Sequence, residues 1–230
     1  MWLNKEKVSD AMIRKKRKSL LNAHPNHIVI DNLFDSSKLD EVMLVLQKMD
    51  NWHTQTHTYA ALHVDKKKWQ NTPNKERFVM RDVWQPDTLS MQTKQVRVAR
   101  DFLLFLRSKE FMTLLSRIFE VQLTDINLAT PTINSNFFRL TADDFVNQHA
   151  DDSPGREVCM LLYLNKVWNN SGGELVFMGE VDSPIQIAPT YNRCVLFNPS
   201  SKGSEHWVNP MSYDDTVKYR YNVTSWYWSK

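Results

Sequence analysis

A chain of 230 residues is long enough to bury a core without covalent staples. Its 42% hydrophobic and 24% charged residues exclude wholesale disorder, and two cysteines exclude both a disulfide scaffold and a cysteine-based zinc module. Lys and Arg total 29 against 26 Asp and Glu, and a net charge of +3 is too balanced to call for a nucleic-acid partner.

The first 18 residues are locally basic, with Lys5, Lys7, Arg14, Lys15, Lys16, Arg17 and Lys18 against Glu6 and Asp10. This reads as the solvated face of a first helix, and the rest of the chain is slightly acidic. Met1 to Leu20 lacks the apolar stretch of a secretory signal. No run approaches the roughly 18 apolar residues of a membrane span. A cytoplasmic protein with no membrane partner is expected. His27–Asp31 reads as a short strand. Ser36 or Ser37 then caps a helix running to about Met49, with Leu39, Val42, Met43 and Leu46 at helical spacing. Residues 53–87 are polar and read as irregular, apart from a strand at Arg77–Val83. Ser90 to Phe119 predicts one or two helices with Phe102, Phe105 and Leu106 on one face.

From about Asn127 the period switches to two. Strands are expected at Ser135–Leu140, Phe145–Asp151, Glu157–Leu164, Glu174–Met178, Ile185–Ala188, Cys194–Asn198, His206–Asn209 and Lys218–Trp228. All five glycines lie beyond residue 154, so tight turns belong to this part of the chain. Helices followed by many short strands predict an α+β protein, with helices buttressing the sheet of a β-sandwich or barrel. The sequence carries no interdomain linker, no repeat and no signal for an oligomeric state.

Within the strands, His149-Ala150-Asp151 puts an imidazole and a carboxylate two residues apart, on one face of a strand. His206 opens a later strand. Two histidines and one carboxylate make a facial triad suited to Fe(II), and zinc with the same ligands would suit hydrolysis. Cys159 and Cys194 read as buried free thiols, and Asp143, Asp144 and Asp152 as turn residues. On the last strand, Arg220, Asn222, Thr224, Trp226 and Trp228 share a face. An arginine among aromatics is costly unless paired, and its planar fork fits a carboxylate.

Taken in order, these blocks resemble the Fe(II)/2-oxoglutarate dioxygenases, and within them the prolyl 4-hydroxylase branch that includes the hypoxia-inducible-factor prolyl hydroxylases. The resemblance runs from about Asn136 to Trp228. It is densest at Gly155-Arg-Glu-Val-Cys-Met-Leu-Leu-Tyr-Leu-Asn-Lys-Val-Trp168 and Ser171-Gly-Gly-Glu-Leu175. It implies a double-stranded β-helix barrel of the jelly-roll, cupin-like kind with N-terminal supporting helices. Residues 1–230 would form one dioxygenase domain, 1–126 mostly helical support and 127–230 the barrel core. By the same resemblance, His149, Asp151 and His206 are the iron ligands and catalytic centre. Arg220, Tyr163 and Thr224 belong to the 2-oxoglutarate pocket, and Arg156 and Trp226 match positions that touch the target residue.

The implied cofactors are Fe(II), 2-oxoglutarate as co-substrate and O2, with ascorbate as an optional reductant. The implied substrate is first a prolyl residue in a peptide or protein, and second a free amino acid or small biosynthetic intermediate. Leu140 departs from the pattern, standing where the branch often has a tyrosine. Residues 53–87 and 169–184 are expected around the barrel mouth, where specificity is set. Two other classes set the contrast. A metal-dependent hydrolase or cupin-like binding protein would have no use for Arg220. A nucleic-acid binder would depend on the basic N-terminus.

Overall fold

Antiparallel pairing carries the architecture. The computed structural model describes residues 1–60, 66–85, 94–124, 134–169, 172–180, 183–212 and 217–229. The expected helix start at Ser90, the onset of period two at Asn127 and the 126/127 boundary lie outside the described residues. Five α-helices are described: α1 (Asp10–Asn22), α2 (Ser36–Lys48), α3 (Lys66–Asn71), α4 (Lys94–Leu106) and α5 (Lys109–Phe119). The strands of the first half are β1 (His27–Asp31), β2 (Trp52–Thr58), β3 (Arg77–Trp84) and β4 (Leu123–Thr124). Those of the second half are β5 (Ser135–Leu140), β6 (Phe145–Val146), β7 (Arg156–Tyr163), β8 (Leu175–Glu180), β9 (Ser183–Ile187), β10 (Arg193–Phe197), β11 (His206–Val208) and β12 (Arg220–Ser229). The large sheet runs β1-β10-β7-β12-β5-β3-β2, with β4 added to β12 and β6 to β3. A smaller sheet, β11-β8-β9, stands apart from it.

The alternation of side chains along the large sheet explains both cores. On β7, Val158, Met160 and Leu162 face the helices, while Cys159, Leu161 and Tyr163 face the small sheet. On β10, Cys194 and Leu196 join the helical side, and Val195 and Phe197 the inner side. The helices answer with Leu39, Val42 and Leu46 of α2, Phe102 and Leu106 of α4, and Phe111, Leu115 and Ile118 of α5. Phe102 packs edge-on to Phe34 at 5.2 Å and stacks on Phe137 at 6.3 Å. Each such side chain contributes about 1.5–3 kcal/mol on burial. Arg107, just past α4, is buried and donates to the Trp226 carbonyl at 2.7 Å, tying the helices to β12. No helix among the described residues is long and apolar enough to cross a membrane.

The structure corrects several expectations. Asp35, not Ser36 or Ser37, is the N-cap of α2: its carboxylate accepts from the Lys38 N–H, and Ser37 donates to it. The stretch read as irregular contains most of β2, which pairs with β3 with Gln55 opposite Arg81 and a register shift between His57 and Thr58. The strand expected over Phe145–Asp151 stops at Val146, with the Asn147 N–H giving one more bond in register to the Phe78 carbonyl. His149 instead forms an isolated bridge with His206. All four strands of the first half, β1 to β4, join the large sheet. All five glycines have positive φ, as the turn argument requires.

A candidate metal centre and its co-substrate pocket

The bridge between His149 and His206 brings two distant segments together. Each backbone N–H donates to the other's carbonyl, at 3.0 and 2.9 Å, and the rings lie 4.4 Å apart. His149 Nδ1 sits 2.8 Å from the Asn147 carbonyl, and His206 Nδ1 sits 3.0 Å from the Ser204 carbonyl. Those carbonyls take the Nδ1 protons, so both Nε2 lone pairs point to a common centre. Asp151 completes it, with Oδ1 3.9 Å from His149 Nε2 and Oδ2 3.8 Å from His206 Nε2. One atom from each residue lies within 4.8 Å of the others, close enough to hold one metal ion. The donor set of two imidazoles and a carboxylate suits Fe(II).

Electrostatics favour ligation. Burial, aided by His206, holds His149 down at about 4, so its ring is neutral at pH 7. Burial works to raise the Asp151 carboxyl, but His206, His149, the Trp226 N–H and Arg156 outweigh it and keep the group below its ordinary value. Trp226 Nε1 donates to Asp151 Oδ2 at 2.9 Å. Arg156 donates to the Asp151 backbone carbonyl and lies 3.6 Å from Oδ1. Both residues therefore fix the carboxylate, and both also line the cavity. The Cys159 thiol lies 3.6 Å from Asp151 Oδ2, and burial raises it well above its ordinary value.

Farther inside, β12 presents Arg220, 1% exposed. Its Nε donates to the Gly173 carbonyl at 2.8 Å and its Nη1 to Asn222 Oδ1 at 2.9 Å. Asn222 in turn donates to Thr224 Oγ1 at 3.1 Å, so three successive inward residues of β12 form one chain. The Tyr163 ring lies 4.9 Å from the Arg220 guanidinium. Burial lowers Arg220 and raises Tyr163. Arg220 Nη2 and the Tyr163 hydroxyl are both buried, and beyond their interaction with each other neither has a hydrogen-bond partner. Two adjacent orphaned donors are expensive unless a ligand acceptor satisfies them. A carboxylate fits both, which is what the distal end of 2-oxoglutarate offers.

His149, Asp151, His206 and Arg220 share a cavity of about 1000 Å³. Its wall also includes Gln55 of β2, Arg81 of β3 and Leu140 of β5. Of the two stretches expected at the barrel mouth, residues 55, 57–60, 78, 79, 81, 83 and 85 of the first line the cavity, whereas only Leu175 of the second does so among the described residues. Asp144 accepts from the Thr141 N–H and hydroxyl, and Asp152 from Ser200, as turn residues do. Sequence reasoning missed Arg81, Gln55 and the bridging role of Asn222. Asn222 was visible on the inward face of β12, whereas Arg81 needed the β2–β3 pairing to be placed.

Residues 135–228 match the sequence model of the 2OG-Fe(II) oxygenase superfamily. The chain carries a 2OG-Fe(II) oxygenase domain. This oxygenase domain is that of a 2-oxoglutarate-dependent dioxygenase, whose cofactors are Fe(II), 2-oxoglutarate and O2. Solved structures share its fold. A prolyl-4-hydroxylase from Pseudomonas putida superposes with a TM-score of 0.63 at 15% identity, over 95% of this chain and 100% of that one. A prolyl hydroxylase from Trichoplax adhaerens, in complex with a peptide fragment of the hypoxia inducible factor oxygen degradation domain, gives 0.59 at 18% identity, over 96% and 94%. A 2OG-Fe(II) oxygenase family oxidoreductase from Burkholderia pseudomallei gives 0.63 at 13%, over 96% and 92%. These likenesses identify the architecture as the double-stranded β-helix of prolyl hydroxylases. No curated protein matches the chain in sequence.

Proposed function

We propose that this oxygenase hydroxylates an unactivated C–H bond, first of all on a prolyl-type ring in a peptide or protein. The observation that carries the reading is the pairing of the His149, Asp151 and His206 centre with the orphaned donors of Arg220 and Tyr163 in one cavity. In this reading His149 and His206 supply neutral imidazoles and Asp151 the carboxylate that hold Fe(II). Trp226 and Arg156 keep Asp151 in place, and as cavity-wall residues they also meet the target. Arg220 and Tyr163 receive the distal carboxylate of 2-oxoglutarate, and Asn222 with Thr224 fixes the Arg220 fork. When bound, Fe(II) with 2-oxoglutarate and O2 supplies the oxidising power, and the balance is one C–H converted to C–OH with succinate and CO2 formed. The chain's own part is to orient the reactants and to keep the cavity dry with Leu140, Leu161 and Leu175.

The shared core of helices and large sheet supports reading residues 1–230 as one domain, with 127–230 as the barrel core. Two buried free thiols are in keeping with a cytoplasmic setting. A second reading, a free amino acid as substrate, is favoured by the charge of Arg81 inside the cavity. The reaction is tested by incubating Fe(II)-loaded protein with 2-oxoglutarate, O2 and two pools, proline-containing peptides and free amino acids. Mass spectrometry should find a gain of one oxygen atom in a member of one pool. Gain of oxygen confined to free amino acids would reject the peptidyl reading. Turnover supported by zinc and independent of 2-oxoglutarate would reject the reaction.

A further inference from the structure

We propose that Arg81 receives a free carboxylate on the very residue that is hydroxylated, so that the substrate is an α-amino acid presented as its acid. That chemistry has two sources, a free amino acid or the C-terminal residue of a peptide. The inference rests on reading His149, Asp151 and His206 as the iron site and Arg220 as the co-substrate arginine, and it replaces the internal prolyl residue ranked first above with a residue that bears a free carboxylate.

Arg81 sits on β3, whose Val79, Arg81 and Val83 turn toward the cavity. Its guanidinium carbon lies over the Phe138 ring, 3.5 Å from the centroid. Its Nε donates to Gln55 Oε1 at 3.1 Å, from the residue directly opposite on β2. Ring and amide thus fix the plane of the fork. Among the described residues, no hydrogen bond or ion pair engages its two terminal nitrogens. The geometry is that of a preset bidentate donor without its acceptor.

The charges around it say what the acceptor is. Burial pushes Arg81 down to about 10, with Arg220 adding to the effect and Asp151 opposing it, so it stays charged at pH 7. Asp151 is the negative charge acting on Arg81, and its oxygens are committed to the histidines and Trp226. Arg81, Arg156 and Arg220 line the cavity against Asp151 and Asp152. The charges of Fe(II) and the 2-oxoglutarate dianion cancel, which leaves the loaded cavity with one unmatched positive charge. Arg156 contacts Asp151, and the Glu174 charge acts on Arg220, whereas no carboxylate among the described residues forms an ion pair with Arg81. An internal prolyl residue offers only amide groups at this depth. A carboxylate on the reacting residue offers both the charge and the two oxygens.

The test is a calorimetric titration of wild-type protein loaded with Mn(II) and 2-oxoglutarate in the absence of oxygen. The titrants are the protein amino acids as free acids, the same compounds as C-terminal amides, and glycyl dipeptides ending in each as acid and as amide. At least one acid should bind, its amide on the order of a hundredfold more weakly. Binding of the dipeptide acid as well as the free amino acid assigns the C-terminal source, and binding of the amino acid alone assigns the free one. Arg81→Leu should weaken the acid on the order of a hundredfold and erase its advantage over the amide, with the 2-oxoglutarate affinity changed less than about threefold. The wild-type comparison of acid with amide needs no variant and survives any loss of folding in Arg81→Leu. Acids and amides binding alike, amides binding alone, or no acid binding to protein that holds 2-oxoglutarate overturns the proposal. Failure of the wild type to bind 2-oxoglutarate would instead overturn the site reading beneath it.

Discussion

Arg220 keeps a full charge where charge is expensive, and each of its bonds has a purpose that the strand period explains. Two of its nitrogens are held by the Gly173 carbonyl and Asn222, and the third is left for a ligand. Arg220→Ala should therefore raise the dissociation constant of 2-oxoglutarate on the order of a hundredfold. Metal affinity should stay nearly constant, because Arg220 bonds to Gly173 and Asn222 and not to His149, Asp151 or His206. Calorimetry with each ligand in turn checks the split, and an equal loss of both would contradict it. Trp226 gives the opposite pattern. Its N–H orients Asp151, so Trp226→Phe should weaken metal binding by about tenfold, read by competition with a chelating dye. At this scale the sequence was most legible where residue type alone restricts the chemistry, as for His149, Asp151, His206 and Arg220. Arg81 was not legible, since arginines are mostly solvated and only its pairing with β2 turns it inward.

Strands of the second half could be read because their two faces differ in burial and glycines mark their ends. β7 alternates between two apolar cores, so nearly every residue is apolar, and its length came from the flanking turns. β2 escaped the reading for the opposite reason. Its sequence Trp-His-Thr-Gln-Thr-His-Thr shows little apolar alternation, because it is an edge strand paired only on one side. Between β7 and β8, Gly173 has φ +77°, and a Cβ there would sit 2.7 Å from the Trp168 ring and 3.3 Å from Arg220 Cδ. Gly173→Ala should displace Arg220 and weaken 2-oxoglutarate by about tenfold or more, visible in the same titration.

The β1–β10 edge offers a pH test. Asp31 and Arg193 face each other across the pair at 2.7 and 3.0 Å. The Arg193 hydrogen bonds and charge hold the Asp31 carboxyl below its ordinary value, against burial. A carboxyl depressed in the folded state contributes stability above its unfolded pKa, and that contribution is lost as pH falls through the folded value. The carboxylate is half exposed, so Asp31→Asn should cost only about 0.5–1 kcal/mol at pH 7. Urea unfolding should show the gap to wild type closing as pH drops below about 4. A gap independent of pH would mean the charge is not what matters.

At the scale of the molecule, one sheet serves two tasks. Its outer face is bound to the helices through residues such as Phe137, Val223 and Tyr227, and its inner face carries the polar machinery. The small sheet then brings His206 against His149 to close the metal centre. This division is why residues picked out by a family resemblance confined to the second half meet in one cavity. The first half contributes the cavity wall of β2 and β3, which no motif in the sequence announced. The central claim is that the three residues at the sheet junction hold the metal on which 2-oxoglutarate turnover depends. The most direct measurement is O2-dependent release of CO2 from 2-oxoglutarate by Fe(II)-loaded wild type and by His149→Ala, with folding of both verified by circular dichroism. The wild type should release CO2 only when Fe(II) is present, and His149→Ala should be slower by at least about a hundredfold. Folded His149→Ala protein turning over 2-oxoglutarate as fast as wild type would contradict the account.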